Sequence, residues 1–362
     1  MNKAKKYEKY LWGCRFCPMC KPASDSLNAT NLECYATRAH AMIIWRAVND
    51  IKAYTAKEAE LLYKCNLDGV AEAFCVDHYP ATGYMLAARE DIVSAGKVIP
   101  EPVAAVLSRP QNIKTEATGD VLVYAEGADI CFDIAWEKAR ALAARLKAGT
   151  IAGHNGYVPY MLGDWAKAKK EARLLAEKIA ATGAKTLVAT GPESYYAFTA
   201  LYKELGIHLD VKVVSATEML FADSGASGVS GKKVFFHDAR AAYFLGDTKP
   251  DEKVIMPDFF GPEELLGEGS VYTLPRKALT DGGAELLFSV WSRAMANAMG
   301  NDEGVALTYP ALAEKMAARR LRMIEATGAE TLVTDSLATI VYLKSLDSGL
   351  HYGMDIRYLG DL

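Results

Sequence analysis

Apolar side chains recur at helical spacing over residues 36 to 54 and again over 56 to 64. Thr55, just ahead of Lys57 and Glu58, is placed to cap the second run. The first ~115 residues therefore read as helices joined by loops. A proline- and polar-rich stretch follows, from Pro100 and Pro102 through Pro110 and Gln111 to Gly119, and reads as a linker. The pattern then changes. Asp120 to Tyr124 is a short apolar run that suits a buried strand, and residues 133 to 148 form an alanine-rich amphipathic helix. Asp164 caps a helix predicted to run to Thr182, Gly183 stops it, and Lys185 to Thr190 reads as a strand. Helices alternating with short apolar strands predict a parallel α/β sheet.

One passage recurs. Ala181-Thr182-Gly183-Ala184, one intervening residue, and Thr186-Leu187-Val188 match Ala326-Thr327-Gly328-Ala329, one residue, and Thr331-Leu332-Val333, at an offset of 145 residues. A long helix rich in Ala, Lys, Arg and Glu precedes each copy, and an apolar helix follows each. Lys232 to His237 resembles the strand at 120 to 124. The chain thus carries two tandem, pseudo-symmetric α/β repeats behind a helical N-terminal unit. The expected units are residues 1–117, 118–230 and 231–362.

Composition narrows the function classes. With 362 residues, 51% hydrophobic and 24% charged, the chain can bury a sizeable core. A net charge of −4 gives no reason to expect a nucleic-acid partner, whose binding rests on phosphate neutralisation. There is no run of ~18 apolar residues, so no transmembrane segment is expected. The start, Met1-Asn2-Lys3, has no apolar stretch behind it, which reads as a cytoplasmic chain without a secretory signal.

The cysteines carry the sharpest chemistry. Six of the seven lie in the first 75 residues: Cys14, Cys17, Cys20, Cys34, Cys65 and Cys75, with Cys131 beyond. Cys14, Cys17 and Cys20 form C-x2-C-x2-C, whose two-residue gaps let a tight loop aim three thiolates at three corners of an iron–sulfur cubane. A bacterial ferredoxin motif would place its fourth cysteine where Ser24 stands. Cys65, Asp68, Ala71 and Cys75 keep the spacing of a second such motif with its middle two cysteines replaced. In two-cluster ferredoxins the fourth cysteine of each motif ligates the other cluster. That rule assigns Cys14, Cys17, Cys20 and Cys75 to one [4Fe–4S] cluster and leaves Cys65, Asp68, Ala71 and Ser24 as the remnant of another. Cys34 is the alternative fourth ligand. Zinc is the alternative metal, although zinc motifs usually come as two C-x2-C pairs. Trp12 and Phe16 flank the motif as candidate shields. Lys3, Lys5, Lys6, Lys9, Arg15 and Lys21 form a basic patch that could steer an acidic redox partner or be a solvated terminus.

The cysteine spacing and the repeat together resemble the iron–sulfur subunits of glycolate oxidase and of anaerobic glycerol-3-phosphate dehydrogenase, and fused heterodisulfide-reductase-like proteins. Those chains join a ferredoxin-like domain to two cysteine-rich CCG domains. By that resemblance the landmarks stand here without their cysteines. The strand-end Gly-Cys becomes Gly127-Ala128, and Cys-Cys-Gly becomes His154-Asn155-Gly156, with Gly163-Asp164 opening the next helix. Cys-Pro-x-Cys becomes Gly191-Pro192-Glu193-Ser194, followed by Tyr195. In the second copy the landmarks are His237-Asp238-Ala239-Arg240, Thr280-Asp281-Gly282 and Ser336-Leu337-Ala338-Thr339. The resemblance implies degenerate CCG repeats that hold no cluster of their own, because Ser, Gly, Ala and Asn replace thiolates poorly.

The resemblance further implies an electron-transfer subunit of an oxidoreductase complex, working through one [4Fe–4S] cluster. Its partner would be an FAD- or FMN-containing dehydrogenase or oxidase, with a further electron carrier, in a hetero-oligomer. The chain has no G-x-G-x-x-G at a strand–helix junction, so no dinucleotide site of its own is expected. A second reading makes the vacated pocket a new site, with His154, Asn155, Ser194, His237, Asp238, Asp281 and Ser336 converging there as metal ligands or as acid, base and nucleophile. Against it stands the reading that these are hydrogen-bonded polar residues plugging an old cavity. A third reading is a structural assembly subunit. Tyr195 and Tyr243 are expected to be packing aromatics.

Overall fold

A computed structural model describes residues 2–14, 17–67, 69–75, 77–245, 269–346 and 353–362, with the backbone alone at 73 and 74. Arg15, Phe16 and Asp68, named above for the basic patch, the shield and the second motif, lie outside the described residues.

The N-terminal unit is helical: α1 (Glu8–Gly13), α2 (Asp25–Thr30), α3 (Thr37–Val48), α4 (Ala56–Tyr63), α5 (Val70–Phe74), α6 (Ala81–Ala95) and α7 (Glu101–Leu107). The expected cap at Thr55 closes a full capping box. The Glu58 N–H donates to Thr55 Oγ1 at 3.3 Å, and Thr55 N–H donates back to Glu58 Oε2 at 3.0 Å. Such a box contributes about 1 kcal/mol by satisfying two orphan donors of the first turn. The stretch read as a linker is instead structured. Pro100 and Pro102 start α7, where a missing N–H costs nothing. Lys114–Glu116 forms strand β1.

The first sheet has the order β1-β3-β2-β4-β5, with β2 (Val121–Tyr124), β3 (Gly149–Ala152), β4 (Thr186–Ala189) and β5 (Lys212–Ser215). All pairings are parallel except β1 with β3. Its helices are α8 (Phe132–Leu146), α9 (Tyr157–Met161), α10 (Trp165–Ala181), α11 (Pro192–Tyr196), α12 (Tyr202–Glu204) and α13 (Ala216–Phe221). Asp164 caps α10 as expected, accepting from the Lys167 N–H at 2.9 Å.

The second sheet, β7-β6-β8-β9, is parallel throughout: β6 (Lys233–Phe236), β7 (Glu285–Leu287), β8 (Thr331–Thr334) and β9 (Asp355–Tyr358). It is served by α14 (Ala242–Leu245), α15 (Ser270–Asp281), α16 (Val305–Thr308), α17 (Pro310–Glu325) and α18 (Leu337–Ser345). Strand order and helix placement repeat those of the first sheet, so the tandem α/β reading holds at the level of topology. Gly183 and Gly328 both adopt positive φ at the matching helix-to-strand turns (+73° and +83°), a conformation that glycine reaches without steric cost.

The three units interlock. Fully buried Arg89 of α6 donates to the carbonyls of Leu62, Cys65 and Met161, joining the helical unit to the first repeat. Helix α18 inserts into the first repeat, where Leu337, Ile340 and Val341 share a core with Val123, Ala125 and Trp136. Gly127, at φ +83°, lies under it, and a Cβ there would stand 2.9 Å from Ala338 Cα. Among the described residues no helix is long and apolar enough to cross a membrane.

Candidate functional site

In a parallel sheet, a crevice opens beyond the carboxyl ends of the two strands at which the order reverses. Here these are β2 and β4 in one sheet and β6 and β8 in the other. The loops that leave them carry Glu126, Thr190 to Ser194, His237 with Asp238, and Asp335 with Ser336. The two crevices face each other. Leu337 N–H donates to the Thr190 carbonyl at 3.1 Å, and the Tyr358 hydroxyl donates to the same oxygen at 2.8 Å.

Glu126 and Glu193 meet at this junction, both buried. Glu126 Oε2 accepts from the Ser194 N–H at 2.7 Å and Oε1 from the Ala338 N–H at 3.3 Å. Ser336 Oγ, which caps α18, lies 3.2 Å from both Glu193 oxygens and 3.5 Å from Glu126 Oε1. The carboxyl groups hydrogen-bond each other. Burial raises both, and Glu193 is pushed well up, next by the charge of Glu126 and then by that of Asp302. Glu193 is therefore the member of the pair that holds a proton more strongly, as one of two like carboxyls in a dry site must. Gly191 makes room for the pair, since a Cβ there would overlap Glu126 Oε1.

Asp302 and Glu303 close the far wall. Glu303 Oε1 accepts from the Tyr157 hydroxyl at 3.3 Å, and Asp302 Oδ1 accepts from the Arg240 N–H at 3.2 Å. Asp302 Oδ2 and Glu303 Oε2 are buried without a partner among the described residues. Glu303 sits in the left-handed region (φ 49°, ψ 29°), an uncommon conformation for a residue with a side chain. These two residues, Glu126, Glu193, Asn155 and Asn301 border a cavity of about 50 Å³. A larger cleft of about 280 Å³ lies on the other side of Gly191, against Tyr195, Thr217, Pro275 and Asp335. Burial pushes Asp335 up to about 8, helped by the charges of Asp238 and Glu126.

The residues named from sequence divide into two groups. Asn155, Ser194 and Ser336 reach the junction. Asn155 Oδ1 accepts from the Tyr157 N–H at 3.0 Å, which folds the turn into α9. His154 turns to the rim, between Asp129 (Nε2 to Oδ1 2.8 Å) and Glu171 (Nδ1 to Oε1 3.2 Å). Burial opposes its charge, but the two carboxylates prevail and lift it to about 10. Asp238 is buried in a two-pronged pair with Arg276, at 2.8 Å on each oxygen, and accepts from the Arg293 N–H at 2.6 Å. That Arg276 guanidinium outweighs burial and holds Asp238 below its usual range. His237 is fully buried and driven down to about 3 by burial and then by Arg320. It stays neutral, and neither ring nitrogen has a partner among the described residues. Tyr243 does more than pack, because its hydroxyl donates to Glu72 Oε2 of the helical unit at 2.9 Å.

Asp281 does not converge. It is exposed at the C-terminus of α15, paired with Lys277 one turn back. That helix leads into β7, so its end lies at the amino ends of the strands, opposite the junction. The second copy's counterpart of His154-Asn155-Gly156 is Ala298-Met299-Gly300. Gly156 and Gly300 both take positive φ, and a Cβ on either would overlap the carbonyl of the matching helix residue, Ala168 or Ala313. Sequence reasoning passed over Glu126, Glu193, Asp302, Glu303 and Asp335. The available signal was position: Glu126 precedes the Gly127 landmark, and Glu193 lies inside the Gly191–Ser194 landmark.

Six of the seven cysteines lie in the helical unit. None of the seven is in a disulfide. Cys65 is buried, Cys14, Cys20 and Cys75 are half-buried, and Cys17 and Cys34 are exposed. Two tyrosines report their proximity. Tyr84 is raised by burial and next by the Cys14 and Cys20 thiols, with Cys65 contributing less. Tyr79 is raised by burial, by Asp77, and then by Cys75 and Cys14. Gly13 permits this approach, since a Cβ there would overlap the Tyr79 hydroxyl. Neither Cys17 nor Cys34 is among the thiols acting on these phenols. Trp12 is half-exposed, edge-on to Trp45 at 5.0 Å and bonded to Asn49, and so faces outward.

Among the described residues no three His, Cys, Asp or Glu side chains are grouped closely enough to hold a single metal ion. A zinc site would need its ligands drawn to about 2.3 Å of one point. A cubane spreads its thiolates over separate corners. The thiols of residues 14–20, 65 and 75 come from three separate segments of the helical unit.

No protein-family model and no curated protein matches the chain. Its fold is similar to that of a solved structure described as the crystal structure of a hypothetical protein from Helicobacter pylori. The TM-score is 0.54 over 90% of this chain, at 11% sequence identity. The chain spans 66% of the length of that protein. At this identity the likeness bears on the fold alone.

Proposed function

We propose that the chain is an electron-transfer subunit that holds one [4Fe–4S] cluster on Cys14, Cys17, Cys20 and Cys75. It would relay electrons between an FAD- or FMN-containing partner subunit and a further carrier. The observation that supports this is the meeting of thiols from separate segments around Tyr79 and Tyr84. When bound, such a cluster carries one electron at a time. The chain's own part is to present the thiolates, to pack Tyr84 behind them, and to fix the Cys65 loop through Arg89. Burial of this kind tunes a cluster's potential. On this reading the α/β repeats, resembling CCG domains without their cysteines, serve as the docking scaffold.

The test is anaerobic isolation followed by iron and sulfide analysis and EPR of the reduced protein. About four iron and four sulfide per chain, with the signal of a single uncoupled cluster, are expected. Zinc in place of iron, or signals from two interacting clusters, would overturn the assignment. Reconstitution with a candidate flavoprotein tests the relay, which fails if the cluster stays oxidised during turnover.

A further inference from the structure

Five acidic side chains are among the residues that line the cavity between the repeats. Glu126 and Glu193 share a proton on one side, and on the other Asp302 Oδ2 and Glu303 Oε2 are buried with no donor among the described residues. Asn155 and Asn301 also line it, and none of the described residues that line it is Lys, Arg or His. A buried acceptor left without a donor costs about 1–3 kcal/mol. Both residues line this one cavity, which marks it as a place where an outside donor is expected. The volume of about 50 Å³ has room for about three or four waters.

We propose that this cavity binds the ammonium group of a small primary amine. An ammonium has three donors and no acceptor, and its charge would favour the ionised forms of Asp302 and Glu303, which burial raises in the free protein, Glu303 well up. Asp302, Glu303 and the Glu126–Glu193 pair supply acceptors on the two walls. The described carboxylates are not grouped tightly enough for a metal ion to be ligated by three of them, whereas N–H donors reach oxygens about 2.7–2.9 Å away. Asp129, Val158 and Leu307 edge the cavity and are half-exposed, which gives the ligand a route in and a partly apolar mouth for its carbon chain.

Equilibrium dialysis of the anaerobically isolated protein with labelled methylammonium tests this, at constant ionic strength. One saturable site per chain is expected, competed by ammonium and ethylammonium but not by tetramethylammonium, which has the charge without the donors. Glu303→Gln keeps the shape of the wall and is expected to weaken binding about tenfold or more. Equal competition by potassium or tetramethylammonium would overturn the proposal, as would unsaturable uptake or unchanged binding in Glu303→Gln. If that variant does not fold, competition on the unaltered protein decides by itself. Loss of iron leaves this result standing, because the cavity lies in the repeats and not among the cysteines.

Discussion

Ser336 caps a helix of the second repeat and reaches Glu193 of the first at 3.2 Å from either carboxyl oxygen. The bond ties the α18 N-terminus to a carboxyl that burial and Glu126 keep protonated. A raised carboxyl holds a proton that the unfolded chain releases above about pH 4.3. Its contribution to stability is therefore whole below that pH and is lost as pH rises toward the folded value. Glu193→Gln supplies an N–H in place of the shared proton and does not titrate. Its stability is expected to lie within ~1 kcal/mol of the wild type near pH 5 and to exceed it near pH 8. Urea unfolding across pH measures this. Parallel pH profiles for the two proteins would refute the shared proton.

His154 behaves in the same direction for a different reason. Asp129 and Glu171 hold it charged, up to about 10. The stability it provides is complete below about pH 6.5 and disappears as pH climbs through about 10. His154→Ala is expected to cost on the order of 2–4 kcal/mol near pH 7 and almost nothing above pH ~10.5. A cost that does not change with pH would mean that packing, and not charge, is what His154 contributes.

Gly191 has ordinary extended backbone, so any residue could adopt its conformation. Only the space is missing, because Glu126 Oε1 occupies the place of a Cβ. Gly191→Ala should therefore cost about 2–4 kcal/mol by displacing the carboxyl. The double variant Gly191→Ala with Glu126→Ala should lose less than the two single costs added together. Additive losses in a double-mutant cycle would show that the two positions are not in contact.

Much of this architecture was legible because its signals are local. Thr55 with Glu58, Asp164 ahead of α10, and the repeated Ala-Thr-Gly-Ala turns each act within a few residues. Helix α7 was hidden because prolines at a helix start look like loop punctuation. Strand β1 was hidden because three polar residues show no period. Ser194 and Ser336 were named through the resemblance, at landmarks that stand where Cys-Pro-x-Cys would. Glu126, Glu193 and Asp302 were missed because nothing near a carboxylate in sequence says that it is buried. Their burial is made by α18 of one repeat closing over Gly127 of the other, a contact across more than 200 residues. Asp281 misled because Thr280-Asp281-Gly282 imitates a turn motif while lying at the wrong end of its sheet.

The cysteine assignment can be separated residue by residue. Cys14 is the thiol that acts on both tyrosines, so Cys14→Ser should abolish iron retention. Cys20→Ser should do the same, and Cys34→Ser should retain iron at the wild-type level. Cys65 and Cys75 carry the decisive contrast. Cys65 is buried, acts on Tyr84, and its carbonyl is held by Arg89 at 2.5 Å, whereas Cys75 is half-buried and acts on Tyr79. If Cys75 is the fourth ligand, Cys75→Ser loses the cluster or leaves a three-iron form. Cys65→Ser then keeps four irons and costs only about 1–2 kcal/mol of stability, as a small buried residue changed to a polar one does. Iron analysis and EPR on the two variants give opposite answers if Cys65 is the ligand instead. That outcome would reverse the cross-pairing read from the two motifs, and it would place the cluster against Arg89 and the first repeat.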